Sequence, residues 1–346
     1  MNINFAFLRH GYGCHNAMSS LVKGSVVDYK DAKLFMRDND GINILRDRIV
    51  PLNDPVLTNI GVEASIHNGC IINKILKRLP IITNNDNLDM STFNVVGCSP
   101  LIRCMETAYY MTRKWKNPPA KIYVFPLLRE IDESSVDKYS KQSLETIRIK
   151  PSYAIKTIEE QEDYLKSIGI YDFFDFSFVK GFPKERIEPG DVHRFTEWFG
   201  KYFVNLLQGN TQNLNVFVTT HAGVLRDFVR TLGVDEGFYN NSGFVINTTY
   251  DNKDMKLNHY VSLNNYIDTY DFFKDYNNQR YNNVDYYCPS DRCGQLCSVA
   301  KGKISDKVKT IGLKCDSEET VKRTVAIRRK FKTPDLANRL DTVWNE

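Results

Sequence analysis

Residues 3–16 read INFAFLRHGYGCHN, and the rest of the chain is read outward from this stretch. The first six residues are rich in Ile, Phe and Leu. Their run is too short for a helix core and suits a buried strand. It ends abruptly in Arg9, His10 and Gly11. A cation beside an imidazole at a strand exit is chemistry in a chemically useful place, because ligands of open α/β sheets bind beyond the carboxyl ends of the strands. Gly11 and Gly13 let the backbone turn tightly and approach a ligand closely.

Three further runs have the same strand-like character: FNVVGC (93–98), KIYVFPLL (121–128) and LNVFVTT (214–220). Each also exits into reactive residues. The second run leads to Ser99 and Arg103, the third to Glu130 and Asp132, and the fourth to His221. Helical patterns lie between them. One spans 58–79, with Thr58 as N-cap, and stops at Pro80; another spans 100–115 with Pro in its first turn. A third spans 191–207 with Asp191 as N-cap, and a fourth spans 222–232. Strands alternating with helices predict a three-layer α/β/α sandwich around a mostly parallel sheet.

Two regions depart from that rhythm. Residues 131–190 are polar and then aromatic, and they read as a lid-like insertion packed over one end of the sheet. Residues 243–263 read as a hairpin, two β-rich runs about a polar turn. The expected division is a catalytic domain over 1–268 and an extension over 269–346 that contains Cys and is basic.

Composition narrows the function classes. At 346 residues, with 42% hydrophobic and 25% charged residues, the chain has the make-up of an ordinary globular protein. No apolar run approaches a membrane span, and no secretion signal is seen, so a cytoplasmic location is expected. The net charge of +4 is uneven, since residues 301–332 carry eleven Lys and Arg against four Asp and Glu. No single basic field covers the chain, and no groove-reading motif or aromatic platform argues for nucleic acid. The eight Cys are dispersed, so Cys14, Cys70, Cys98 and Cys104 are expected as reduced thiols.

Two Arg, two His and a carboxylate at four exits suit phosphoryl transfer. The transferring phosphoryl spreads negative charge over its oxygens, so positioning and electrostatic stabilisation do most of the catalysis. Arg supplies a planar fork that grips two oxygens. A neutral imidazole serves as nucleophile and a carboxylic acid protonates the departing alkoxide. None of these steps calls for a metal or cofactor.

The motifs then carry a resemblance. Arg-His-Gly with an Asn six residues after the His (Asn16), DPVLTNIG (54–61), SPLIRCMETA (99–108) and HAGVLR (221–226) follow one another over residues 1–263. The sequence resembles the larger branch of the histidine phosphatase (phosphoglycerate mutase-like) superfamily. The resemblance implies that His10 becomes phosphorylated and that Arg9, Arg103 and His221 complete the phosphate pocket. It implies that Asn16 holds the phosphoryl group or orients the site, with Gly11 and Ala222 also at the phosphate. The family's proton donor lies in a Leu-x-Glu element, which LRE (128–130) matches at Glu130. The EID that follows is similar to the bisphosphatase branch, but ESSVDKYS then departs from it, which keeps Asp132 as the second donor candidate.

The implied function is metal-independent hydrolysis of a phosphomonoester through phosphohistidine, on a phosphorylated small molecule in preference to a protein. Two alternatives stay open. One is an inactive descendant whose pocket binds a phosphorylated partner. The other is a phosphoglycerate mutase-type phosphotransferase, against which stands the missing Glu-Arg-His-Tyr-Gly signature. Around the pocket, His15 is expected at the rim and Cys14 and Cys98 at its flanks, Cys98 as a core filler. His67, His193 and His259 are read as structural. Cys288, Cys293, Cys297 and Cys315 lack paired C-x-x-C knuckles, so free thiols are the default over zinc. The stretch VKRTVAIRRKFK (321–332) reads as a solvated helix face, with an acidic partner, nucleic acid or an anionic membrane as alternatives.

Overall fold

Strand β1 (Asn2–Arg9) is apolar on both faces, and each face meets a different core. Ile3, Phe5 and Phe7 enter one hydrophobic cluster and Ala6 and Leu8 the other. A strand covered on both sides belongs in the middle of a sheet. The computed structural model places it there, and describes residues 1–13, 16, 54–57, 59–76, 93–131, 155–204, 213–251 and 254–264.

The remaining strands are β2 (Val95–Cys98), β3 (Ile122–Val124), β4 (Phe174–Asp175), β5 (Asn213–Thr220), β6 (Gly243–Tyr250) and β7 (Met255–Ser262). They form one seven-stranded sheet in the order β4-β3-β2-β5-β1-β6-β7. Strands β1 to β5 run parallel, while β6 and β7 form the expected hairpin, antiparallel to β1 and to each other.

Helices cover both faces. On one side α1 (Asn59–Leu76) and α2 (Ile102–Thr112) supply Ile72, Leu76, Met105, Ala108 and Met111 against Ala6, Leu8, Val96 and Phe217. On the other side lie α6 (Val192–Trp198) and α7 (Ala222–Thr231). Their Phe195, Leu225 and Phe228 pack on Phe5, Phe7, Val216 and Val218. Phe125 meets Phe195, Phe199 and Phe203 at ring-centroid distances of 5.4–5.7 Å. This is the mostly parallel, three-layer α/β architecture expected from the alternation of elements.

Local signals account for the helix starts. The side chain of Asp191 accepts from the backbone N–H of Arg194, capping α6 as its sequence predicts. In α3 (Ile158–Ser167), Thr157 and Glu160 form a reciprocal capping box. The helical pattern read over 191–207 is not one α-helix. It changes to a π-helix at Phe199–Phe203, where Gly200 lies against the Tyr250 ring.

The described part of the expected insertion, 155–190, is built into the sheet and core. Phe174–Asp175 is the edge strand paired with β3, and Leu165, Ile170, Phe174, Phe176 and Val179 lie in the second core. Two short helices follow, α4 (Ser177–Gly181) and α5 (Pro183–Ile187). Within the aromatic run Phe174, Phe176, Phe178 and Val179 are therefore core residues, while Phe173 stays exposed.

Cys98 and Cys104 are free and buried, but Cys70 is disulfide-bonded, correcting the reduced thiol expected there. Its partner lies outside the described residues. Spacing along a chain does not reveal pairing in space, so dispersion was no argument against a bridge. Cys14, His15, Asp132, the segment 132–154, the Cys288–Cys315 set and the basic stretch 321–332 also lie outside the described residues. Among the described residues no helix is long and apolar enough to cross a membrane.

The contact between α1 and α2 depends on Gly69. A β-carbon there would stand 2.1 Å from the Met111 carbonyl oxygen, and Trp115 Nε1 donates to the Gly69 carbonyl at 2.9 Å. Gly69→Ala must push the two helices apart. We expect a loss of about 1–3 kcal/mol in urea denaturation, as for other overpacked cores.

Candidate active site

The parallel register of β1 and β5 sets Arg9 opposite Thr220, and the His10 N–H donates to the Thr220 carbonyl at 2.9 Å. His10 and His221 therefore leave neighbouring strands at the same level. Their rings lie 5.2 Å apart at an interplanar angle of 60°. Strand β2 flanks β5 on its other side, and the Ser99 N–H donates to the Thr219 carbonyl at 2.8 Å. Helix α2 follows and brings Arg103 to His221. The Thr220 hydroxyl donates to the Leu128 carbonyl at 2.9 Å, which ties the β3 exit, and with it Glu130, to the same end of the sheet. The four exits converge.

Hydrogen-bond partners fix the tautomers. His10 Nδ1 lies 2.7 Å from the Gly11 carbonyl oxygen, which only accepts, so Nδ1 carries a proton and the lone pair of the neutral ring lies on Nε2. At His221 the order reverses. Arg103 Nη2 lies 3.1 Å from Nδ1 and only donates, so Nε2 holds the proton and donates to Ser99 Oγ at 2.8 Å. His10, Arg103 and His221 are each at most 1% exposed.

The guanidiniums carry the unusual feature. Arg9 Nη1 donates to the Phe238 carbonyl at 2.9 Å. Arg9 Nε, Arg103 Nε and Arg103 Nη1 are buried with no acceptor among the described residues. Burial lowers the pKa of Arg9 to about 10, with Arg103 adding to the effect and Glu130 opposing it. Glu130 is pushed above the ordinary carboxylate range by burial, against the pull of Arg103 and Arg9. Its Oε2 lies 3.9 Å from His221 Nδ1, and 19% of its side chain remains exposed, a route by which protons reach it. Two guanidiniums with three buried nitrogens lacking an acceptor among the described residues thus stand near two imidazoles, a set that favours an anion. A tetrahedral oxyanion offers acceptors for all three.

A polar scaffold holds the Arg-His-Gly turn. Asn240 Nδ2 donates to the carbonyls of His10 and Gly11 at 2.9 and 3.1 Å. The Asn241 N–H donates to the Arg9 carbonyl at 3.0 Å, and the Arg9 N–H to that of Ser242 at 2.7 Å. Asn241 adopts φ +64°, a conformation Asn tolerates better than most residues. The Gly11 N–H donates to Thr107 Oγ1 at 2.8 Å, and a β-carbon at Gly11 would lie 2.5 Å from Ser65 Oγ. Asn16 Oδ1 accepts from the Gly13 N–H at 3.0 Å, so Asn16 closes the turn. Ala222 opens α7 directly after His221.

Thr107, Asn240 and Asn241 were not singled out from sequence as site residues. The only trace was a polar pair just before a strand, a common turn signal. Cys104 Sγ sits 3.3 Å from His221 Nε2 and was likewise missed. Cys98 Sγ donates to the Tyr123 carbonyl at 3.8 Å, and burial pushes its thiol well up, as suits a core filler. His193 bonds Thr231 between α6 and α7, and His259 lies in the edge strand β7. Among the described residues no group of three or more His, Cys, Asp or Glu could hold a metal ion.

Arg103→Met removes a buried charge whose Nε and Nη1 have no acceptor among the described residues. We expect inorganic phosphate to raise the Tm of the wild type, since a ligand at 100 times its Kd stabilises by about 2.7 kcal/mol. In Arg103→Met that rise is lost, while the phosphate-free Tm is unchanged or higher. Thermal melts with and without phosphate check both outcomes.

No protein-family model and no curated protein matches the chain. Among solved structures it is similar to a phosphoglycerate mutase from Bacillus anthracis str. Sterne, at 14% identity and TM-score 0.36, covering 74% of this chain and 92% of that one. It is similar to a phosphoserine phosphatase variant from Entamoeba histolytica in complex with phosphoserine, at 12% identity and TM-score 0.32, over 75% and 96% of the two chains. It is also similar to an α-ribazole phosphatase from Shigella flexneri, at 13% identity and TM-score 0.32, over 75% and 95%.

Proposed function

We propose that this chain is a metal-independent phosphomonoester hydrolase that works through a phosphohistidine at His10. One observation carries the reading: Arg9 and Arg103 keep buried N–H groups without an acceptor among the described residues, and Arg9 directly precedes a His10 whose Nδ1 proton is held by the Gly11 carbonyl, which puts the lone pair of the neutral ring on Nε2. The positive charge that phosphoryl transfer requires is present in Arg9, Arg103 and a His221 protonated on substrate arrival.

The chemistry runs in two displacements. The phosphoryl oxygens take up the free N–H groups of Arg9 and Arg103. Arg103 Nη2 turns from His221 Nδ1 to the phosphate, which lets Nδ1 take a proton and donate as well. His10 Nε2 attacks phosphorus in line with the ester oxygen. The P–O bond breaks, and Glu130 gives its proton to the departing alkoxide. Glu130, now a carboxylate, takes a proton from water, and the oxygen of that water attacks the phosphohistidine. The P–N bond breaks, inorganic phosphate leaves, and His10 and Glu130 return to their starting states. Glu130 is favoured as donor because the two Arg and His221 surround it and its proton affinity is raised. The depth of His10 suits a small phosphorylated molecule better than a folded protein surface.

His10→Ala should abolish turnover of an aryl phosphate and remove any phosphoryl label that an alkaline quench preserves and acid releases from the protein. Equal phosphate release by wild type and His10→Ala across a broad substrate panel would sink the hydrolase reading; phosphate binding without turnover would leave a binding module.

Glu130 makes a second prediction with a definite sign. The donor must be protonated, and its pKa is raised, so kcat/KM for alkyl phosphates is maintained above the usual carboxylate range. It then falls as pH rises through the folded-state pKa. Glu130→Gln should erase that descending limb and slow alkyl phosphates by on the order of 10²–10⁴-fold. Aryl phosphates, whose leaving groups need little protonation, should slow far less. A pH–rate profile on both substrate types decides; equal slowing would move the donor role to another acid such as Asp132.

A further inference from the structure

Asp54 is fully buried, adopts φ +52°, and lies outside the phosphate pocket. It begins a short segment, 54–57, that touches two parts of the site. Leu57 bridges Gly13 of the loop after β1, and its N–H donates to Glu106 Oε2 of α2 at 2.6 Å. Asp54 Oδ1 accepts from the N–H of Ile102, the first residue of α2, at 2.7 Å. The next residue is Arg103.

The other carboxylate oxygen leads away from the pocket. Asp54 Oδ2 accepts from Gln161 Nε2 at 2.7 Å, and the same nitrogen donates to the Pro100 carbonyl at 2.7 Å. Gln161 Oε1 accepts from Arg186 Nη2 at 3.0 Å. Asp54, Gln161 and Arg186 are all buried. The chain of bonds has one possible polarity. A guanidinium only donates and a carboxylate only accepts, so the Gln161 amide cannot be reversed. One turn further along α3, the Tyr164 hydroxyl donates to Glu106 Oε1 at 2.7 Å, so α3 grips α2 at two carboxylates.

We propose that Asp54 is a positioning residue for Arg103, acting through the first backbone N–H of α2, and that Gln161 and Arg186 hold Asp54 in that role. The segment 155–187, outside every motif of the resemblance, would thereby set how firmly the pocket grips a phosphoryl group. This inference rests on the pocket being a phosphate site.

The fixed polarity supplies the test. Asp54→Asn must turn its new NH₂ toward Gln161 Nε2 or the Ile102 N–H, donor against donor. Gln161→Glu alone sets carboxylate against carboxylate. In the double variant the amide at position 54 donates to the carboxylate at position 161, which still accepts from Arg186. The buried charge is kept and only moved, although the Pro100 carbonyl loses its donor. The readouts are orthovanadate inhibition or binding, aryl phosphate turnover, and Tm.

Each single variant should weaken vanadate by about 10-fold and lower kcat/KM by on the order of 10²-fold, the scale expected when a catalytic group is misplaced by about an ångström. The double should recover most of the vanadate affinity. Singles that lose only Tm and bind vanadate like the wild type would overturn the proposal, as would a double no better than the worse single. If Asp54→Asn does not fold, Arg186→Met decides instead, since it removes the outermost donor and leaves Asp54 bonded to Ile102. It should weaken vanadate in the same direction, and an unchanged affinity overturns the proposal. Vanadate binding without turnover in the wild type would defeat the hydrolase reading alone and leave the cycle readable. Absence of vanadate binding to the wild type would defeat both.

Discussion

The parallel pairing of β1 with β5 is the constraint on which the site depends. Eight residue pairs from Asn2–Asn213 to Arg9–Thr220 run in register, and the next residue of each strand is a histidine. A slip of one residue would turn Phe5 and Phe7 out of one core and into the other. It would also separate the two imidazoles. The same packing forces that select the fold thus select the distance between His10 and His221. The other two exits are fixed by the same sheet, with β2 on the far edge of β5 and β3 beyond it.

What that scaffold supports carries an electrostatic cost. Two guanidiniums are buried with three nitrogens lacking acceptors among the described residues, and Glu130 beside them is held toward its neutral form by burial. Unsatisfied buried donors cost stability, and under the proposed function that cost is the preorganisation of the pocket for a phosphoryl group. The offsetting stabilisation is close at hand. Phe5, Phe7, Phe195, Phe199, Phe228 and Phe244 pack beneath the site in edge-to-face and stacked pairs. Asn240, Asn241 and Thr107 meanwhile hold the backbone of the Arg-His-Gly turn.

The parts legible in the sequence share a property. INFAFL, NVVGC and LNVFVTT are strands because local apolar pattern and length say so, and each carries its chemistry on the residues that immediately follow. Arg9, His10, Ser99 and His221 could be read for that reason. The hairpin at 243–263 and the Asp191 cap are equally local. The less legible parts depend on neighbours distant in the chain. Phe174–Asp175 is a two-residue strand only because β3 offers an edge. The change to π-helix at Phe199 occurs where Tyr250, some fifty residues later, presses on Gly200. Asp54 belongs to a quoted motif, yet nothing local says that its carboxylate meets Gln161.

The sequence by itself determined the alternation of buried strands and helices, and which residues would stand at the strand exits. Short apolar runs, caps and turns are near-neighbour effects, and a single chain displays them. Only the tertiary structure decided that the four exits share one end of the sheet, which nitrogen of each histidine its partner holds protonated, and that Arg9 and Arg103 keep buried N–H groups without an acceptor among the described residues. Those properties are set by partners such as Gly11, Ser99, Phe238 and Glu130. Hydrogen bonding and desolvation depend on which groups lie within a few ångströms, and that is fixed by strand order and register, not by spacing along the chain.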